Sequence, residues 1–157
     1  MRKAGITDLP LILEIYASAR AFMAQSGNPR QWGTTNPPEE TLRNDIARGN
    51  LYVLTEGDGI HGVFAFLREE DPTYRVIYGG AWHSSRPYGV LHRVAGDGSG
   101  GILKAAVGYA EQFCDYLRID THAENLIMQR QIGRMGFSRC GIIHLLNGEP
   151  RIAYDRV

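Results

Sequence analysis

Lysine is nearly missing from this chain, with only Lys3 and Lys104 present among 157 residues. Arginine makes up the balance: Lys+Arg and Asp+Glu stand at 17 each, a formal net charge of zero. A protein held to nucleic acid by phosphate neutralisation needs surplus positive charge, so the balance argues against a nucleic-acid partner. A local anion pocket stays open. Cysteine is equally scarce. Cys114 and Cys140 belong to no CxxC and no His/Cys cluster, which argues against a metal site and leaves two buried thiols in a reducing compartment. No apolar run approaches the roughly 18 residues that would span a membrane. Asp8, Glu14 and Arg20 interrupt the first twenty residues, so no signal peptide is read there. The expectation is a cytoplasmic protein with no membrane partner. What is present is a hydrophobic content of 43% with 10% aromatics, enough for one packed domain over 1–157.

Periodicity places the elements. Thr7 is a plausible cap and Pro10 is tolerable in a first turn, after which Ile12, Ile15, Tyr16, Ala19, Phe22 and Met23 fall at helical spacing. Residues 26–38, rich in Gly, Pro and Asn, read as a loop, and a second helix covers about 38–48. Strands are predicted at 51–55, 60–67, 76–82 and 88–95, the first two joined by a tight turn. In the last of these, Val90, His92 and Val94 share one face and Leu91 and Arg93 the other. A helix over 101–116, a strand over 118–122, a helix over 124–135 and strands at 138–146 and 150–156 complete the order. Gly136 suits the left-handed position that ends a helix, with Phe137 packing back on the last turn. The pattern α-α-β-β-β-β-α-β-α-β-β is an α/β (α+β) sandwich around one mixed sheet.

The most informative stretch runs from Val90 to Lys104, where a strand feeds Gly96-Asp-Gly-Ser-Gly-Gly101 and then an amphipathic helix. Unsatisfied N–H groups at a helix start, together with the positive end of the dipole, form an anion site that glycines let a phosphate approach. The P-loop pattern fails, because no Lys-Ser/Thr follows Gly101. The dinucleotide pattern G-x-G-x-x-G does match at Gly96, Gly98 and Gly101, with Asp120 near the position of a ribose-binding acid. Against it, the preceding strand carries His92 and Arg93 where a doubly wound fold wants an apolar run, and the chain ends in a hairpin.

A strand, a glycine-rich loop at a helix start, a second strand, then Asn125 and Gly136–Phe137 together resemble the GNAT superfamily of acyl-CoA N-acyltransferases. The family loop, Arg/Gln-x-x-Gly-x-Gly/Ala, corresponds to Gly98-Ser-Gly-Gly101-Ile-Leu103, with Gly98 and Leu103 departing from it. The family helix, Asn-x-x-Ala-x-x-x-Tyr-x-x-x-Gly-Phe, corresponds to Asn125 through Phe137, with Met128 for the Ala and Ile132 for the Tyr that protonates the leaving thiolate in many relatives.

The resemblance covers nearly the whole chain and implies a single mixed, mostly antiparallel central sheet flanked by helices. It implies acetyl-CoA as co-substrate, with the pyrophosphate on the amides of Gly98, Ser99, Gly100, Gly101, Ile102 and Leu103. The pantetheine would pair with the main chain between the strands ending near Val94 and His122. Asn125 would hydrogen-bond the cofactor arm. An N–H near Val94 would polarise the thioester carbonyl. The acceptor would be a small-molecule or peptide amine, and a homodimer is compatible with the family.

An amine must be neutral to attack, which calls for a base. His92, Asp120 and His122 are the candidates, since imidazole titrates near 6.5 and all three lie in the relevant strands. Trp32, Tyr74 and Trp82 are candidates for shaping the acceptor site. Two rival functions stay open at this point: a NAD(P)-binding oxidoreductase built on Gly96, Gly98 and Gly101, and a non-catalytic acyl-CoA-binding module, to which Ile132 lends weight.

Overall fold

Apolar residues repeating every second or every third to fourth position decide which face of each element is buried. In the computed structural model, which describes Met1–Val157, this gives β1 (Arg2–Lys3), α1 (Leu9–Gln25), α2 (Glu39–Ala47), β2 (Leu51–Glu56), β3 (Gly59–Leu67), β4 (Gly89–Gly96), α3 (Ile102–Ala110), β5 (Leu117–Thr121), α4 (Leu126–Arg134), β6 (Ser138–His144) and β7 (Pro150–Arg156). The strands form one sheet in the order β1-β2-β3-β4-β5-β7-β6, in which only β4 and β5 run parallel. No helix is long and apolar enough to cross a membrane.

Each face of the sheet has its own core. On one face, Phe64, Phe66, Leu91, Leu117, Ile119 and Tyr154 pack against the apolar stripe of α3 (Ile102, Leu103, Ala106, Val107, Ala110) and Ile132 of α4. On the other face, Val53, Val63, Ala65 and Ala95 meet Leu9, Ile12, Ile15 and Tyr16 of α1 and Leu42 of α2. The second face continues under residues 72–88, where Tyr74 is buried against Val90, Ile143 and Ala153. Two-sided burial of the sheet is the expected arrangement for a single sandwich-like core.

The predicted order holds, with three differences. Residues 76–82 form no strand; their only ladder contact is an isolated bridge between Tyr78 and Ile142. Val76 and Tyr78 are exposed there, while Ile77 and Trp82 pack against the Tyr74 cluster. The helix predicted over 101–116 ends at Ala110, where Gln112 and Phe113 donate to Tyr109 and Ala110 in tightened i→i−3 turns. A short extra strand, β1, pairs with β2. Gly136 does take the left-handed conformation (φ 83°), and the buried Phe137 donates its N–H back to Ile132.

Residues 72–88 are fastened to β7 by a buried carboxylate. Asp155 accepts the His83 backbone N–H (2.8 Å), the His83 ring (2.6 Å) and the Tyr116 hydroxyl (2.8 Å). Burial opposes its charge, yet these donors hold its pKa below the ordinary value. The neighbouring Cys140 thiol is pushed up to about 12, by burial first and by Asp155 second, and both cysteines are free. Gly80 passes so close to β6 that a Cβ there would sit 1.9 Å from the Cys140 carbonyl oxygen. Backbone cannot yield as a side-chain tip does, so Gly80→Ala is expected to destabilise the fold by about 2 kcal/mol or more, read as a lower midpoint in urea.

Candidate functional site

The sheet opens between its two parallel strands. β4 and β5 pair only at Gly89–Leu117 and Val90–Arg118. Beyond those residues the strands diverge, and Leu91–Val94 and Ile119–Thr121 line a cavity of about 530 Å³. Its other walls come from loop 26–38 (Gln31, Trp32), from Asp71 and Thr73, from Asn125 and Met128, and from the β6–β7 turn with Glu149 and Arg151.

Strand β4 is bulged at this opening. The β3–β4 register shifts between Val63 and Ala65, and Arg93 is the one non-glycine residue with a left-handed backbone (φ 54°). Three bonds hold this otherwise costly conformation. The Tyr16 hydroxyl donates to the Arg93 carbonyl (2.7 Å), and the Arg93 guanidinium donates to Asp45 of α2 through Nε (2.8 Å) and Nη2 (2.8 Å). Burial pushes the Tyr16 phenol far above its ordinary value, so it stays a donor at any working pH. In a planar trans peptide the N–H opposes the carbonyl. The Val94 N–H therefore points away from Tyr16. The bulge also overturns the alternation expected from sequence. Val94 packs with the α3–α4 face instead of sharing a face with Val90 and His92, and Arg93 reaches the α2 side.

The glycine loop sits at the start of α3. Gly98, Gly100 and Gly101 have φ of 96°, 84° and 79°, and a Cβ at any of them would meet only open space. Here glycine is required by the backbone, not by packing. The first helical bond runs from Ala105 to Gly101, and the N–H groups of Gly100, Gly101, Ile102, Leu103 and Lys104 have no acceptor in the protein. Ile102 and Leu103 bury their side chains in the core and contribute backbone only. Ser99 differs: its N–H is taken by Asp97 (2.9 Å) and its hydroxyl meets His61 (3.2 Å). Such a run of free amides at a helix start fits a pyrophosphate.

At the far side of the opening, the structure brings three of the predicted site residues together with one that was not predicted. His92 Nε2 lies 2.7 Å from Asp71, and its Nδ1 lies 3.8 Å from Asp120. The Tyr74 hydroxyl donates to Asp120 (2.6 Å). Burial and the neighbouring Asp120 push the Tyr74 phenol well up, so it too remains protonated. Burial works against the Asp71 charge, but His92 and Thr73 outweigh it and hold the carboxyl near 2. With Asp71 ionised, Nε2 carries the proton and Nδ1 presents a lone pair.

The remaining candidates divide. Trp32 lines the cavity, edge-on to Tyr16 at 5.5 Å. Trp82 lies outside the lining; it donates to the Tyr74 carbonyl (2.9 Å) and stacks under Arg118 (4.0 Å). His122 accepts the Glu124 N–H (3.0 Å), away from the His92 group, and its pKa is lowered by burial and then by Arg151 and Arg30. Asn125 lines the cavity, but its Oδ1 caps α4 at Met128 (3.0 Å) and its Nδ2 donates to Gln31 (2.8 Å). Ile132 is wholly buried in the core, so no proton donor reaches the cavity from that position.

Sequence reasoning missed Asp71, Tyr16, Gln31 and Arg151. Asp71-Pro-Thr73 carried a usable signal, the capping turn in which Asp71 accepts the Thr73 N–H. The others come from distant segments and carry none.

The sequence matches no protein-family model and no curated protein. Solved structures do match. A GNAT-family acetyltransferase from Streptococcus agalactiae is 28% identical with a TM-score of 0.87, over 99% of this chain and 93% of that one. A GNAT-family acetyltransferase from Listeria monocytogenes is 19% identical with a TM-score of 0.72, over 99% and 92%. A ribosomal-protein-alanine N-acetyltransferase from Brucella melitensis is 19% identical with a TM-score of 0.66, over 99% and 98%. The chain has the GNAT fold and is an enzyme of the GNAT acetyltransferase type. The dinucleotide-binding alternative loses its basis, because the sheet is not doubly wound.

Two outcomes test this geometry. Tyr16→Phe removes the donor on the Arg93 carbonyl and should cost about 1 kcal/mol in urea unfolding. Asp71 has a depressed pKa in the fold, so its contribution is present above the unfolded value near 3.9 and is lost as pH falls from about 4 toward 2. With the pair partly exposed, about 1 kcal/mol is expected. The stability gap between parent and Asp71→Asn should shrink by that amount across the window.

Proposed function

We propose that the protein moves the acetyl group of acetyl-CoA directly to a primary amine, both substrates bound together. The observation that carries this reading is the divergence of β4 from β5, which leaves strand edges available to an extended amide-bearing arm. The free amides of Gly100–Lys104 stand at the start of α3, and His92 lines the opening.

Acetyl-CoA, when bound, supplies an activated acyl carbonyl on a thioester. Gly98, Gly100, Gly101 and the Ile102 and Leu103 amides would hold its pyrophosphate, and Met128 and Asn125 would border its arm. The Val94 N–H, which opposes the Arg93 carbonyl, would donate to the acyl oxygen, a role worth about 3–4 kcal/mol in other acyl transfers. Asp120 holds the incoming ammonium, and His92 Nδ1 takes its proton. Asp71 fixes the ring tautomer and stabilises the imidazolium that results. A thiol with a pKa near 8.5 leaves readily as thiolate near neutral pH, so the loss of the family tyrosine at Ile132 is tolerable.

Acetyl-CoA at 100 times its dissociation constant should stabilise the fold by about 2.7 kcal/mol, seen as a rise in Tm. NAD and NADP should give no shift. With an amine panel, thiol release should be detected. His92→Gln should lower kcat about 100-fold near neutral pH, with partial recovery at alkaline pH where the amine is already neutral. A loss independent of pH would assign His92 a packing role, and binding without thiol release would make the protein an acyl-CoA-binding module.

A further inference from the structure

The titratable groups around the cavity fall in two clusters. Asp71, His92 and Asp120 cluster toward Tyr74 and β4. Arg151 lies toward loop 26–38 and the β6–β7 turn. The two groups share a face of the sheet. Asp120 pairs with Ala153 in the β5–β7 register, so Arg151 stands one diagonal step away, about 7–8 Å between such positions.

Arg151 is the unusual member. Its side chain is 4% exposed, yet it lines the cavity. Nη1 donates to the Pro150 carbonyl (2.9 Å), and Nη2 donates to the Gln31 carbonyl (3.1 Å) and to Glu149 (3.3 Å). Nε–H has no acceptor in the protein. Glu149, half-exposed, is the single carboxylate on this buried guanidinium, and it reaches one nitrogen only. A guanidinium offers a planar fork of donors that suits a carboxylate taken in two parallel bonds, and that geometry is unfilled here. Beside it, Gln31 Nε2 also lines the cavity, with its nearest acceptor, Thr121 Oγ1, at a long 3.5 Å.

We propose that the acceptor is a small amino acid, an amine that carries its own carboxylate, with the ammonium on Asp120 and His92 and the carboxylate on Arg151 and Gln31. The inference rests on the acetyl-transfer reading above and names its substrate class. A coenzyme A phosphate is not the partner of Arg151, because the free amides of α3 lie on the other face of the sheet. A peptide N-terminus is the poorer fit, since it brings no carboxylate so near its amine. The cavity is also bounded on that side by loop 26–38, fastened through Gln31 to Asn28, Asn125 and Arg151.

The test compares free amino acids with their carboxamides and with the corresponding decarboxylated amines, by thiol release from acetyl-CoA. On the parent protein, free amino acids should exceed both analogues in kcat/KM by about tenfold or more. In Arg151→Gln the gap should close through a raised KM for the acid, while the rise in Tm with acetyl-CoA is retained; Arg151→Lys should keep part of it. A calorimetric titration of the CoA-loaded parent should show an N-acetyl amino acid binding more tightly than its amide. Equal rates for acid, amide and decarboxylated amine overturn the acceptor class and leave acetyl transfer standing. No thiol release from any amine overturns the transfer reading itself. The comparison on the parent stands even if the Arg151 variants fail to fold.

Discussion

The left-handed turn at Arg93 is the constraint on which the rest of the site depends. A non-glycine residue pays for φ near +54° in steric strain, and here α1 and α2 stabilise it together, Tyr16 on its carbonyl and Asp45 on its guanidinium. By adding a residue to β4, the bulge breaks the pairing register and sends Val94 to the opposite face. It also turns one peptide group out of the ladder. Beyond Val90 the strand parts from β5, and the gap becomes a cleft lined by polar residues such as His92, Asp120 and Arg151 together with Trp32, Leu91 and Met128.

The cleft is supported from both sides by different physics. The α3–α4 face is apolar and packed, with Ile102 and Leu103 anchoring the helix so that its free amides face outward. The opposite face is polar beneath the surface. Asp71 with His92 and Tyr74 with Asp120 form two short hydrogen bonds, side by side where His92 Nδ1 lies 3.8 Å from Asp120, and Trp82 and Arg118 hold the segment that carries Tyr74. Asp155 ties the same segment to β7. Buried polar groups are tolerated here because nearly all are paired; Asn28 Oδ1 departs from that pattern.

Loop 26–38 shows how one residue can connect several elements. Gln31 uses its carbonyl for Arg151 and its side-chain oxygen for both Asn28 and Asn125. Asn125 is thus a cap for α4 and an anchor for this loop, where the family resemblance alone assigns it to the cofactor arm. Trp32, next in sequence, meets Tyr16, so the loop is also linked to the residue that holds the bulge.

The sequence by itself determined most of the element order, the glycine loop at the start of α3 and the left-handed Gly136. These follow from local periodicity, capping chemistry and motif spacing, which depend on neighbours in the chain. Only the tertiary structure decided that Asp71 pairs with His92, that Val94 changes face, that 76–82 stays irregular and that Arg151 reaches the cavity from β7. Those outcomes depend on contacts between residues 21 to 120 positions apart. Alternation along a strand cannot announce a bulge that a distant tyrosine stabilises, because the energy that permits it comes from another element.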